Sequence, residues 1–190
     1  MAMELTSRSF NHGREMSGKY TAEGWDISPP LEWSGAPPNA REFALICEDP
    51  DVPGPTPFVH WMLYGLSENI SELPEGLPRE EEIRYPVFVR QGLNSRSQIG
   101  YTGPNPPFWH GIHRYYFRLF ALNASLGLAP GANRGEFFKA IENHLIEQTE
   151  LLGVYEKSVA GKTRSAAGVA VAISAPVVIY AAIKRLRRSA

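Results

Sequence analysis

Residues 47–66 read C-E-D-P-D-V-P-G-P-T-P-F-V-H-W-M-L-Y-G-L, and the fold turns on how this stretch is parsed. Two apolar runs, 43–47 and 58–66, flank a loop of acids, prolines and a glycine. The runs have the length and the β-branched and aromatic content of strands, and the loop between them has strand-breaking chemistry. Asp49 and Asp51 therefore leave the end of one strand, and His60 enters on the next. A short connection between neighbouring strands brings such groups to one edge of a sheet. A second stretch, 100–122, repeats the arrangement: G-Y-T-G-P-N-P-P-F-W-H-G-I-H-R-Y-Y-F-R-L-F-A-L. It too has a Pro-rich loop, then a histidine, His113, leading into a strand.

Working outward, residues 1–40 read as irregular, punctuated by Gly13, Gly18, Gly24, Pro29, Pro30, Gly35, Pro37 and Pro38. Within them S-P-P-L-E-W, 28–33, is an extended piece with apolar anchors at Leu31 and Trp33. Residues 67–99 are polar and turn-rich, with 87–89 a weak strand; a loop of that length is usually functional or wraps the surface. Residues 114–122 carry aromatic and apolar side chains on both faces, which predicts a central, buried strand. Residues 126–131 read as a turn or short edge segment.

Next comes a predicted helix. Asn133 can cap it, and Glu136 three residues later completes a capping box. Phe137, Phe138, Ile141, Leu145, Thr149 and Leu152 then fall near one helical face, with Gly153 as terminator and Val154–Tyr155 as a last short strand. Short strands with one convincing helix predict a mainly-β sandwich with helical decoration.

The chain of 190 residues carries a formal charge of −1, unevenly spread. Residues 158–190 hold six Lys or Arg and no acid, leaving 13 basic and 20 acidic residues in 1–157, or +6 against −7. The body lacks the basic face that phosphate backbones require, so no nucleic-acid partner is expected. The single cysteine, Cys47, excludes an intramolecular disulfide and reads as a buried, inert thiol. The N-terminal segment has no apolar core and no cleavage site, so no signal peptide and a cytoplasmic location are expected.

The chain divides into a body, 1–157, and a tail, 158–190. In the tail, 166–183 is an uncharged run between Lys162/Arg164 and K-R-L-R-R at 184–188. As a helix it would be roughly 27 Å long, just under the hydrocarbon thickness of a bilayer. Membrane association through 166–183 stands beside two alternatives, a helix lying on the domain and one in a dimer contact.

D-P-D-V-P at 49–53, V-H-W at 59–61 and G-I-H-R-Y at 111–115 resemble the phosphatidylethanolamine-binding protein family, also called Raf kinase inhibitor-like. S-P-P-L-E-W-S-G-A-P (28–37), E-D-P-D-V-P (48–53), F-V-H-W-M-L-Y (58–64), N-S-R-S-Q-I-G-Y-T-G-P-N-P-P (94–107) and L-L-G-V-Y-E-K (151–157) follow the layout of its bacterial and archaeal branch, in order. Several separated motifs in one order are far more specific than a single short one.

The resemblance implies an antiparallel β-sandwich with one or two peripheral helices. It also implies a small pocket at one end for an anionic group, such as phosphate or a phospholipid headgroup. Carried over, the pocket is Asp49, His60, Pro106, Pro107, His113 and Tyr115, supported by Asp51, Trp61 and Gly103. Bacterial relatives tend to be homodimers, so a homodimer is expected. Asn105, Phe108 and Trp109 depart from the pattern and bear on which ligand fits. No metal and no cofactor are expected. The residue chemistry agrees: histidines supply N–H donors, a tyrosine hydroxyl and loop amides add others, and an acid beside a histidine orients the ring.

Two alternatives stand beside a binding protein. One is a hydrolase or lyase using Asp49, His60 and His113 as acid/base groups, against which no G-x-S-x-G nucleophile motif appears. The other is a dimerising interaction protein with a vestigial pocket. A metal set of His110, His113, His60 and Asp49 is weaker still, because His-x-x-His in a loop lacks helical spacing.

Overall fold

A run such as F-A-L-I-C, apolar on both faces, survives only where both faces are covered, and the computed structural model, which describes residues 2–157, covers both. The strands are β1 (Glu4–Thr6), β2 (Arg14–Glu15), β3 (Leu31–Ser34), β4 (Glu42–Asp49), β5 (Phe58–Ser67), β6 (Glu72–Leu73), β7 (Glu82–Ile83), β8 (Val89–Gln91), β9 (Ile112–Leu122) and β10 (Leu145–Glu156). A single α-helix, α1 (Arg134–Ile141), and a 3-10 turn at Gly18–Tyr20 complete the described residues. One sheet runs β1-β3-β6 and a seven-stranded sheet runs β2-β10-β9-β4-β5-β8-β7, antiparallel throughout except where β2 meets β10. The chain is thus a β-sandwich. Its helix lies outside the larger sheet.

Alternation along β4 sorts the side chains between layers. Phe43, Leu45 and Cys47 join Leu5, Leu31, Trp33 and Leu73 of the small sheet in the inner core. Ala44 and Ile46 face the other way, toward Phe137 and Ile141 of α1. Glu48 is buried on that outer side and accepts hydrogen bonds from Arg118 Nη1 (2.9 Å) and Arg134 Nε (2.6 Å). This ties α1 to β4 and β9, and the two guanidinium groups make a buried carboxylate tolerable. Cys47 is buried, and burial pushes its thiol well above its ordinary range.

The cap at Asn133 forms as expected. Its Oδ1 accepts from the Gly135 and Glu136 amides at 2.9 and 3.1 Å, and its own amide donates to Glu136 Oε2 at 2.8 Å. The helix, however, ends at Ile141. Leu145, Thr149 and Leu152 belong to β10, a 12-residue strand of which Val154–Tyr155 is only the end. β10 pairs with β9 from Leu145↔Leu122 to Glu156↔Ile112. The free edge of an 11-residue central strand needs a partner for its backbone groups, and that demand outweighs helical periodicity. Two smaller revisions concern the flanking segments. The weak strand expected at 87–89 sits at Val89–Gln91, and the irregular first 40 residues contain three short strands. The expected helix at 166–183, like the rest of 158–190, lies outside the described residues.

Candidate functional site

β4 and β9 are neighbours in the large sheet, and both bring acid or imidazole groups to the same end. Asp49 closes β4, and its Oδ2 accepts from His113 Nδ1 at 2.7 Å. Both side chains are only 2% exposed, so this pair is enclosed by protein. The other oxygen of Asp49 accepts from the Asp51 amide at 2.8 Å, which folds the D-P-D segment into a turn. Burial raises the Asp49 carboxyl above its ordinary range, opposed by the bonds from His113 and the Asp51 amide.

Asp51 turns the other way, onto Arg114. The guanidinium donates from Nη2 to Oδ1 at 2.7 Å and from Nε to Oδ2 at 3.0 Å, while the Arg114 amide donates to Oδ2 at 2.8 Å. Burial alone would raise the Asp51 carboxyl, but the Arg114 bonds outweigh it and hold it below its ordinary value. A bidentate pair of this kind fixes the loop's register against β9. Alternation makes the two links possible, since His113 and Arg114 are consecutive and point to opposite faces.

His60 comes in from β5. Its Nδ1 lies 2.6 Å from the Thr102 carbonyl oxygen, which can only accept, so Nδ1 carries the proton. Burial pushes the ring down to about 4, which keeps it neutral near physiological pH and leaves Nε2 as a lone-pair acceptor. This revises the expectation that both histidines serve as N–H donors. The His60 ring packs between Phe58, at 4.8 Å between centroids, and Tyr115, at 5.1 Å and nearly perpendicular. Tyr115 follows His113 by two residues on β9, so both rings face the same side of the sheet. Its hydroxyl is buried and has no hydrogen-bond partner among the described residues. Burial, reinforced by Asp49, pushes that hydroxyl above its ordinary range.

The loop 103–111 forms the remaining wall. Pro106 is buried and Pro107 half-buried. The Pro107 carbonyl accepts from the His110 amide at 3.1 Å, and the His110 ring stacks on His113 at 5.4 Å with its Nδ1 3.3 Å from His113 Nε2. Gly103 does not offer its amide to the site: that N–H donates to Asp26 Oδ1 at 2.7 Å. A Cβ at Gly103 would lie 2.3 Å from the Tyr20 carbonyl oxygen, so glycine is needed for the close approach of the 18–26 segment. Among the described residues the Asn105, Phe108, Trp109 and Gly111 amides are the loop's unengaged donors. Trp61 is fully buried, donating from Nε1 to Gln91 Oε1 at 2.7 Å.

The structure therefore brings Asp49, Asp51, His60, His113 and Tyr115 together. Sequence reasoning missed Arg114, the Thr102 carbonyl, Asp26 and the stacking role of His110. Only Arg114 left a signal, as the basic neighbour of His113 in a chain with an unpaired acid beside Asp49. Asp49 and Asp51 already accept from His113, Arg114 and backbone amides, His60 Nδ1 donates to a backbone carbonyl, and among the described residues no group of three or more His, Cys, Asp or Glu is placed to hold a metal ion. A cavity of about 360 Å³ opens between β1 and β10, lined by Leu5, Phe10, His12, Thr149 and Leu151 among others; it shares no residue with the acid–histidine cluster.

A two-sheet β-sandwich with an Asp–His pair and a second histidine at one end of the larger sheet is the class of protein these features define. The family model for phosphatidylethanolamine-binding protein matches residues 6–156, and the chain belongs to that family. It is 41% identical over 157 residues to a UPF0098 protein of Pyrococcus horikoshii, covering 83% of this chain and 78% of that one. Among solved structures it is similar to the phosphatidylethanolamine-binding protein homologue CT736 of Chlamydia trachomatis, at 40% identity and a TM-score of 0.74, over 83% of this chain and 99% of that one. E. coli YbcL, described as a member of the mammalian family, matches at 25% identity and a TM-score of 0.77 over 83% of this chain and all of its own.

Proposed function

We propose that this chain is a non-catalytic binding protein. Its site at the Asp49–His113 end takes a small anionic group, a free phosphate or a phospholipid headgroup. Family membership supports a binding role, and one observation carries the choice of ligand chemistry: the buried Tyr115 hydroxyl without a partner. An unsatisfied buried hydroxyl costs roughly 1–3 kcal/mol, and a ligand oxygen accepting from it would remove that cost. Neutral His60 offers the complementary group, an acceptor at Nε2. The preferred ligand then carries both kinds of atom, an anionic oxygen for Tyr115 and a proton for His60. Hydrogen phosphate and phosphoethanolamine each satisfy this.

The proposal includes membrane association through 166–183 and a homodimer, which the tail's composition and the family resemblance respectively favour. Among the described residues no helix is long and apolar enough to cross a membrane. The acid/base alternative draws on the 2.7 Å contact between Asp49 and His113, which has the form of a base and its orienting acid. Against it, burial raises both the Cys47 thiol and the Tyr115 hydroxyl, which makes them poor nucleophiles.

The test is a titration with inorganic phosphate and with phosphoethanolamine, followed by imidazole and Tyr115 NMR resonances. Binding shifts the His60, His113 and Tyr115 signals together. Resonances unmoved at millimolar ligand would overturn the proposal.

A further inference from the structure

The loop that walls the site carries two large apolar side chains into solvent, Phe108 at 50% and Trp109 at 82% exposure. A second loop, 18–26, lies against it, with the Ala22 amide donating to the Pro104 carbonyl at 3.0 Å, and it exposes Trp25 at 71%. Exposed aromatics gathered on adjoining loops mark a contact surface more often than chance scatter does. Lys157, the last described residue, joins the two loops. Its Nζ donates to Glu23 Oε1 at 2.7 Å and to Asn105 Oδ1 at 3.1 Å, and sits 4.9 Å from the centre of the Phe108 ring.

The chain therefore leaves the body at this rim. Beyond Lys157 comes the segment with six basic residues, no acid and the uncharged run 166–183. Eight residues, 158–165, separate Lys157 from that run, a reach of at most about 28 Å. Three acids near the rim oppose an anionic surface little, because each is paired with a cation: Asp51 with Arg114, Glu23 with Lys157 and Asp26 with Arg79. Tryptophan and phenylalanine favour the boundary between headgroups and acyl chains, and basic residues near it favour anionic lipid. A single weak anchor binds only marginally, so two on one edge have a physical reason to coincide.

We propose that the Phe108–Trp109 rim is the face that meets an anionic lipid bilayer. Both rings enter the headgroup layer, the basic, apolar tail supplies a second anchor, and the buried His60–His113 cluster lies behind the rim. This rests on the anion-binding reading for what the mouth takes up, not for the docking itself.

The experiment uses the full chain with vesicles of phosphatidylcholine and phosphatidylglycerol, plain or brominated, followed by flotation and tryptophan emission. The full chain floats with these vesicles, brominated lipid quenches its emission, and Trp109→Ser removes most of the quenching and weakens binding about tenfold. Trp25→Ser serves as the parallel variant that assigns the residual signal. The proposal is overturned if Trp109→Ser leaves quenching and binding unchanged, which makes the tail the sole anchor. It is equally overturned if the full chain stays in solution with Trp109 shielded from acrylamide, which makes the tail or a second copy the rim's occupant. Phosphate titrated without vesicles reads the mouth separately, so either reading can fail while the other stands.

Discussion

At His60, a carbonyl on one side and apolar rings on two others determine which nitrogen holds the proton and how readily a second one is accepted. The ring's value near 4 lies below the ordinary 6.5, so the unfolded chain binds the extra proton and the folded chain does not. Stability is then full above about pH 6.5 and falls as pH drops from 6.5 toward 4, by up to about 3 kcal/mol from this group. His60→Asn flattens that part of the profile, and urea unfolding at pH 4.5 and pH 7 measures it. Tyr115 makes the opposite kind of prediction. Tyr115→Phe deletes the unpartnered hydroxyl, so it stabilises the free protein by about 1 kcal/mol while weakening phosphate binding. Thermal melts with and without phosphate check both halves. A variant that loses stability and binding together would point to a structural hydroxyl instead.

At the scale of elements, the sequence was most informative where chemistry and position coincide along the chain. β4, the D-P-D turn and β5 were legible because strand formers and breakers alternate within 20 residues. The Asn133 cap was legible for the same reason, and Asn133→Ala costs about 1 kcal/mol in a denaturant titration. The end of α1 was not. Leu145, Thr149 and Leu152 satisfy a helical face, yet in β10 an irregularity after Leu145 leaves that residue packed toward α1 while Leu151 joins the inner core, and only pairing with β9 decides between helix and strand. Within the site, Asp49, His60 and His113 could be named from motifs. Arg114, Thr102 and Asp26 could not, because their roles are contacts between segments distant in sequence. Gly103 belongs with these. Gly103→Ala sets a methyl against the backbone of Tyr20 to Ala22 and prises the 18–26 loop from the site wall. Faster proteolysis of that loop, with a lowered melting temperature, is the expected result.

For the whole molecule, the described body is a sandwich whose inner core joins both sheets and whose outer core joins the large sheet to α1. The relative from Chlamydia trachomatis matches over 99% of its own length against 83% of this chain, so that fold is complete without a counterpart of the tail. Residues 1–157 alone should melt within a few degrees of the full chain, and calorimetry of both forms tests this. A large drop would mean that 158–190 packs into the body.

Asp49 and His113 stand 64 positions apart in the chain yet share one hydrogen bond. No fragment holding only one of them can assemble this pair, and neither can a chain in which β9 has yet to dock beside β4. On the proposed reading, occupancy of the site would report completed folding. Any bound anion holds the native state down by mass action, about 1.4 kcal/mol at ten times its dissociation constant. On the proposed reading, withdrawing the anion would withdraw that stabilisation as well.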